Sequence, residues 1–194
     1  MDIRSEFQSI IKEDKRISDA IRLDNLPDHI RKASELFAHT GDSKFWWPVL
    51  IAIWVFSNAF WKHWAIIMFL GIALIGAVMI PIKRLIKRKR PIGLWAKKTR
   101  EKDPNSFPSG HAARTFLLAI LATGIGPAWV AIIFWIWAPL VAISRVAMGV
   151  HFLLDVIGGM LLAIIVGLLW LHFHAGVLQL VFTFFLTTLH VPIW

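Results

Sequence analysis

The sequence contains no cysteine and no tyrosine, and its acidic residues are concentrated toward the N-terminus. Because cysteine is absent, disulfide bonds and thiolate nucleophiles are excluded, and thiol usage gives no information on the redox compartment. Asp155 is the only acidic residue that follows Asp103. The second half of the chain therefore lacks the carboxylate cluster that magnesium requires, and we expect no metal and no other cofactor.

Long apolar runs dominate what is present, since 57% of the 194 residues are hydrophobic, including 11 Trp and 14 Phe. Several runs approach the roughly 20 residues with which a helix crosses a bilayer. The predicted fold class is therefore all-α, a polytopic helical bundle in the cell (inner) membrane. We predict six transmembrane helices, with the third short for a full crossing, at about residues 45–61, 64–82, 112–125, 127–143, 152–171 and 177 to the end.

Residues 1–44 form a separate amphipathic segment in which apolar residues recur at a nearly helical spacing. Pro27 predicts a break between two helices. Acidic and basic residues are almost balanced here, nine against eight, so strong electrostatic attraction to lipid is not expected. We predict an N-terminal helical segment (1–44) that caps the bundle or lies at the interface, followed by the six-span domain (45–194).

The formal net charge of +9 raises the question of a nucleic-acid partner. The basic residues do not lie on a soluble face with interleaved aromatic residues, so we expect no nucleic-acid binding. They crowd beside the predicted spans, and residues 83–110 alone hold ten Lys and Arg. Such juxtamembrane clusters indicate membrane topology and contact with anionic lipid, so the bilayer itself is an expected partner. The sequence carries no indication of oligomeric state.

Ser144 to Asp155 places polar residues between two long apolar runs. Ionisable side chains are rare at membrane depth, so Arg145, His151 and Asp155 are candidate functional residues. If a helix begins after Val150, His151 and Asp155 share one face, where the carboxylate can hydrogen-bond the imidazole. The alternative is structural, with Arg145 and Asp155 pairing between helices and His151 at their interface.

Span parity brings three polar clusters to one membrane face, within the loops at 83–111 and 144–155. Arginine and lysine suit a phosphate dianion, and a helix starting near Ser109 and Gly110 would direct free N–H groups at the same anion. Of two histidines, one can attack phosphorus while the other transfers protons. The candidate site residues are Lys83, Arg90, Ser109, Gly110, His111, Arg145, His151 and Asp155.

Three motifs in this order resemble those of the type 2 phosphatidic acid phosphatase family, whose membrane branch shares its site with vanadium haloperoxidases. Lys83 to Pro91 matches the first motif, Lys, six residues, then Arg-Pro. Pro108 to His111 matches Pro-Ser-Gly-His, and Ser144 to Asp155 matches Ser-Arg, five residues, His, three residues, Asp. No motif position departs from the family pattern.

The resemblance implies a role for each matched residue. His151 would form a phosphohistidine supported by Asp155, and His111 would serve as acid and base, all without metal. The groups implied to bind phosphate are Lys83, Arg90, Ser109, Gly110 and Arg145. Arg114 could face the same cavity or extend to the interface. The remaining basic residues near the first motif, expected to be solvated or to attract headgroups, are Arg84, Lys87, Arg88 and Lys89.

The expected substrate is a membrane lipid phosphate, because a site at the bilayer boundary suits a headgroup phosphate whose tails stay in lipid. Phosphatidic acid, phosphatidylglycerol phosphate, polyprenyl phosphates or diphosphates, and the phosphates of lipid A are all compatible with the motifs. The alternatives are a vanadate-dependent haloperoxidase-like enzyme and a non-catalytic lipid-binding protein.

The membrane face of the site can be predicted from the basic residues. By span parity only Lys62 lies opposite, so 20 of the 21 Lys and Arg share the face of the site. The positive-inside rule makes that face cytoplasmic. Excluding Lys83, Arg90, Arg114 and Arg145 as possible site residues leaves the asymmetry at 16 to 1.

Overall fold

The structure is a computed structural model that describes residues 3–22, 28–92, 99, 101 and 103–189. This part of the chain is helical, and its only strand-like feature is an isolated bridge between Lys89 and Asn105. The predicted all-α class is confirmed. The seven helices are α1 (Ile3–Ile21), α2 (Asp28–Thr40), α3 (Ser43–Phe56), α4 (Ala59–Ile86), α5 (Gly110–Ile125), α6 (Ala128–Ala147) and α7 (Leu153–Leu189).

Helices α4, α6 and α7 are long and apolar enough to cross a membrane. Helices α3 and α5 are also apolar, but they contain only 14 and 16 residues. The prediction that the third apolar run forms a short helix is therefore confirmed. It starts at Gly110, at the polar end of the bundle, so its N-terminus can serve a site there.

The six-span layout is not confirmed, because one helix occupies the region where two spans were predicted. Helix α7 continues without a break through residues 172–176, where a turn was expected. Its 37 residues would extend about 55 Å. The histidines there are compatible with a helix, and a lone Gly176 costs only about 1 kcal/mol, so nothing in this stretch stops the helix. Residues 190–194 of the predicted sixth span lie outside the described residues.

Helix α4 extends to Ile86, one turn beyond the predicted span. Lys83 and Arg84 occupy this last turn, where positive charge is favourable at the C-terminus of a helix. Lys87 then ends the helix in a left-handed conformation with φ of 48°.

Helix α5 is the most enclosed helix of the bundle and packs against α4, α6 and α7. Two glycines of α7 allow close approach: a Cβ at Gly159 would lie 2.6 Å from the Ser109 carbonyl oxygen, and one at Gly158 would lie 2.5 Å from the Phe107 ring. Gly71 is equally close to Leu121, at 2.7 Å. Gly76, on the same helix as Gly71, has nothing within 4 Å and therefore takes no part in helix packing.

The N-terminal segment forms two helices, as predicted. Helix α1 contacts α6 and α7, and α2 contacts α6 and α3, so both pack on the bundle. Residues 5–13 of α1 are exposed, whereas Asp14 and Ser18 are buried against the bundle. The second half of α1 is therefore its attachment to the membrane helices.

Candidate active site

The N-terminus of α5 carries the second motif. Ser109 is the N-cap residue, and its hydroxyl accepts a hydrogen bond from the Ala112 N–H at 3.5 Å. The Ser109 N–H donates to the Asp155 carbonyl oxygen at 2.8 Å. This contact requires α5 and α7 to approach closely, which Gly159 permits. The second and third motifs are therefore joined through the backbone.

The third motif spans the junction between α6 and α7. His151 lies in the connecting loop, and Asp155 lies in the first turn of α7. Asp155 Oδ2 accepts a hydrogen bond from the Phe152 N–H at 2.9 Å and lies 3.5 Å from His151 Nδ1. Both side chains are buried, at 2% and 0% exposure. The predicted proximity of imidazole and carboxylate is present, but His151 precedes the helix, and its Nδ1 has no hydrogen-bond partner among the described residues.

The proton position on His151 follows from its other neighbour. Arg90 Nη1 lies 2.9 Å from His151 Nε2, and a guanidinium can only donate, so Nε2 must be an acceptor. The proton of the neutral ring is then on Nδ1, toward Asp155. Burial, followed by the positive charges of Arg90 and Arg145, lowers the pKa of His151 well below its usual value. The ring is therefore neutral, with a lone pair on Nε2.

The two cations of the first motif meet on one carboxylate. Asp103 Oδ2 accepts hydrogen bonds from Lys83 Nζ at 2.6 Å and from Arg90 Nη2 at 2.8 Å. Arg90 Nε also donates to the Asp103 carbonyl oxygen at 2.7 Å. Burial opposes ionisation of Asp103, but the Lys83 hydrogen bond and the two positive charges outweigh it and lower its pKa. Asp103 was not predicted as a site residue, although its position among the ten basic residues of the loop was a usable signal.

Arg145 is buried, with 7% exposure, at the last turn of α6. Its carbonyl oxygen accepts from the N–H groups of Val150 and His151 at 3.1 and 3.2 Å, which ties the loop to α6. Its side-chain Nε has no hydrogen-bond partner among the described residues. A buried charged donor without a partner is costly, so this group is suited to bind an anion that enters the site.

His111, in the first turn of α5, faces a carboxylate that was not among the predicted site residues. Its Nε2 lies 3.0 Å from Asp42 Oδ1, without the alignment of a hydrogen bond. Burial opposes ionisation of Asp42, but the contact with His111 and the charges of Arg114 and Arg145 lower its pKa to about 2. Asp42 directly precedes α3, and an Asp at a helix start is usually interpreted only as a cap.

Arg114 lies beside this pair. Its Nε donates to the Gly41 carbonyl oxygen at 3.2 Å, and its Nη2 lies 4.0 Å from Asp42 Oδ1. Of the two placements left open for Arg114, the structure therefore supports the one that faces the site. Because Gly41 and Asp42 belong to the junction of α2 and α3, these contacts place that junction next to His111.

Arg88 contradicts the prediction that the basic residues around the first motif are solvated. Its Nη1 donates to Asp155 Oδ1 at 2.9 Å, and its Nη2 pairs with Asp14 of α1. Its guanidinium also lies 4.4 Å from the centroid of the Phe152 ring. Its side chain is only 17% exposed. A buried acid on α1 and a second carboxylate in the site neutralise it, and periodicity alone could not reveal these partners.

The structure thus brings the predicted residues together at one end of the bundle. Direct contacts join Arg90, His151, Asp155 and Ser109, and Asp103 connects Lys83 to Arg90. Gly110 is the first residue of α5, beside His111. Within the described part of the chain, no three His, Asp or Glu side chains are arranged to hold a metal ion.

Comparisons with known proteins agree with this architecture. The family model of the PAP2 superfamily matches residues 64–179. The lipid A 1-phosphatase of Porphyromonas gingivalis is 30% identical over 153 residues, which is 75% of this chain but only 29% of that protein. The chain therefore spans less than a third of this curated relative.

Two solved structures are similar in fold. The first transmembrane PAP2 type phosphatidylglycerolphosphate phosphatase from Bacillus subtilis has a TM-score of 0.72 and 27% identity, and the match covers 87% of each chain. LpxE of Aquifex aeolicus has a TM-score of 0.65 and 27% identity, with 81% of this chain and 93% of that chain covered.

Proposed function

Since the chain belongs to the PAP2 superfamily, we propose that it is an integral membrane phosphatase that hydrolyses a lipid phosphate through a phosphohistidine on His151. The observation that carries this proposal is the state of His151, a buried neutral imidazole with Nε2 as acceptor and Nδ1–H directed at Asp155. A neutral imidazole is the nucleophilic form of histidine, and the carboxylate stabilises the positive charge that develops on attack. The Nε2 lone pair becomes available for attack when Arg90 Nη1 donates to a phosphate oxygen in place of His151.

The reaction has two steps. His151 Nε2 attacks phosphorus and forms the P–N bond, while the bond from phosphorus to the lipid oxygen breaks and His111 protonates the leaving oxygen. Water then attacks the phosphohistidine, giving one proton to His111 as the P–N bond breaks and inorganic phosphate is released. His111 is the acid in the first step and the base in the second, so the enzyme is regenerated without an external proton carrier.

The phosphate oxygens would be bound by the cations and by the start of α5. Arg145 Nε is a buried donor without a described partner, and the N–H groups after Ser109 add the positive end of a helix dipole. Lys83 and Arg90 already share one oxygen of Asp103, which supports their capacity to bind an anionic oxygen together. Arg90 also touches His151 Nε2, so phosphate held by Arg90 would lie beside the nucleophile.

A lipid substrate is supported by the position of the site at the ends of apolar helices. The relatives named above are a lipid A 1-phosphatase and a phosphatidylglycerolphosphate phosphatase. We propose a phosphate ester or diphosphate of this kind, with lipid A-type and phosphatidylglycerol phosphates tested first and phosphatidic acid and polyprenyl phosphates next. No metal is required in this scheme.

The proposed location is the inner membrane, with the site on the cytoplasmic face. The face is proposed from the count of Lys and Arg on each side of the membrane. No Lys or Arg follows Arg145, so this count is the same with or without a sixth span. Residues 1–44 and 45–194 are proposed to work as one unit, since α1 and α2 both contact the membrane helices.

The test is release of inorganic phosphate by detergent-purified protein in EDTA, across a panel of these lipids. We expect release by the parent, a denaturation-stable phosphoenzyme with radiolabelled lipid, and loss of both in His151→Ala. His63→Ala removes an exposed imidazole on α4 and should behave as the parent. Halide oxidation that depends on added vanadate, with no phosphate release from any lipid, would instead support a haloperoxidase. Inactivity in a folded parent in both assays would support a non-catalytic protein.

A further inference from the structure

Helix α7 begins beside the proposed nucleophile, and its first N–H groups bind residues of α1. The Leu153 N–H donates to Ser18 Oγ and the Leu154 N–H donates to Asp14 Oδ1, both at 2.9 Å. These donors have no partner within their own helix, so an acceptor from elsewhere must satisfy them. The acceptors come from 135 and 140 residues earlier in the chain.

Asp14 makes a second contact that leads directly to the site. Its other oxygen, Oδ2, pairs with Arg88 Nη2, and Arg88 Nη1 donates to Asp155 Oδ1. The opposite oxygen of Asp155 faces His151 Nδ1 at 3.5 Å. Charged contacts therefore run from α1 through Arg88 to Asp155, and Asp155 lies beside the neutral imidazole of His151.

The acceptors that hold α7 and Arg88 are buried. Asp14 is 5% exposed, Ser18 is 2% exposed and Asp155 is 0% exposed. In contrast, the neighbouring Glu13 is exposed and pairs with Arg16, one turn further along α1. Burying a carboxylate costs free energy unless the charge is paired and hydrogen-bonded. Asp14 meets both conditions, through Arg88 and the Leu154 N–H.

We propose that Asp14 and Ser18 are positioning residues of the active site, with α1 holding the start of α7 and, through Arg88, the orientation of Asp155 toward His151. This inference rests on the proposed function. Asp14 acts through Asp155 and does not contact the substrate phosphate. Its loss should therefore reduce the rate of the chemical step more than the affinity for lipid.

Steady-state kinetics of four variants test the inference. Asp14→Asn keeps an acceptor for Leu154 N–H but removes the charge that holds Arg88, while Asp14→Ala removes both. We expect kcat to fall about tenfold in Asp14→Asn and further in Asp14→Ala, because a reacting group moved by a fraction of an ångström loses this much rate. KM should change less than threefold. Glu13→Gln and Ser9→Ala, exposed sites on the same helix, should match the parent.

A double variant separates positioning from a general loss of structure. In an Asp155→Asn background, Asp14→Asn should have little further effect on kcat, because the residue through which it acts is already altered. If the two losses simply multiply, or if Asp14→Asn matches Glu13→Gln, the proposal is overturned.

Amide hydrogen exchange keeps this test distinct from that of the proposed function. In Asp14→Ala and Ser18→Ala, peptides covering residues 152–156 should exchange at least tenfold faster than in Glu13→Gln. Unchanged exchange would refute the inference that Asp14 and Ser18 hold the first N–H groups of α7. An inactive parent with the expected exchange pattern would overturn the phosphatase function while retaining the contact between α1 and α7.

Discussion

Replacement of Asp42 by asparagine isolates the electrostatic part of the His111 site. Asparagine has nearly the same shape, so α3 can start in the same way, but the negative charge is lost. That charge lies 3.0 Å from His111 Nε2 and 4.0 Å from Arg114 Nη2, with Arg145 also in range and an exposed His39 at 3.9 Å. Removing it leaves Arg114 and Arg145 without their shared counter-charge beside the imidazole.

The magnitude follows from the pKa of Asp42, which is lowered from 3.8 to about 2. At 1.36 kcal/mol per unit, a shift of about 1.8 units corresponds to about 2.4 kcal/mol. The Asp42 side chain is 42% exposed, so solvent screening reduces the expected value to about 1 kcal/mol. Because the folded pKa is the lower one, this stability is fully present above about pH 4 and disappears as the pH falls through about 2.

Thermal unfolding followed by tryptophan fluorescence, in detergent from pH 3 to pH 8, measures the effect. At pH 7 we expect the Tm of Asp42→Asn to lie about 2–4 °C below that of the parent, the shift that 1 kcal/mol produces in a chain of this size. The gap should narrow toward pH 3, and Glu13→Gln should show no gap at any pH. Equal Tm values at pH 7, or a gap that widens as the pH falls, would show that Asp42 is not held by these cations.

Two further substitutions test the packing and the anion site. Gly159→Ala places a Cβ 2.6 Å from the Ser109 carbonyl oxygen, so we expect lower kcat and lower Tm. The control Gly76→Ala, with nothing within 4 Å, should be neutral or stabilising by up to about 1 kcal/mol. Equal Tm values for the two variants would contradict the close approach of α5 and α7. Arg145→Lys keeps the charge but loses the planar fork, so KM for the lipid phosphate should rise about tenfold, while the exposed Arg84→Lys should leave it unchanged. An unaltered KM in Arg145→Lys would remove Arg145 from the phosphate site.

The fold could be predicted from the sequence wherever the signal was local. Apolar runs defined α3 to α6 to within a few residues, and the short α5 followed from the distance between His111 and Pro127. The six-span layout is not confirmed at residues 172–176, because polar residues and one glycine within an apolar run do not by themselves end a helix. The end of α4 was placed four residues early for the converse reason, since Lys83 and Arg84 are charged yet favour a helix C-terminus.

The sequence by itself determined the membrane class, the order of the three motifs and the eight candidate residues, because each depends on spacing along one segment. Only the tertiary structure decided which groups they contact. Asp14 and Asp42 reach the site from distant positions in the sequence, through the packing of α1 and of the junction between α2 and α3. Asp103 and Arg88 lie in the basic loop, at positions to which the motifs give no role, and only their contacts with Lys83 and Asp155 connect them to the site. An acid on an amphipathic helix has the same local pattern whether it faces water or a buried arginine. Burial and the distance to its partner distinguish these cases, and both are properties of the folded chain.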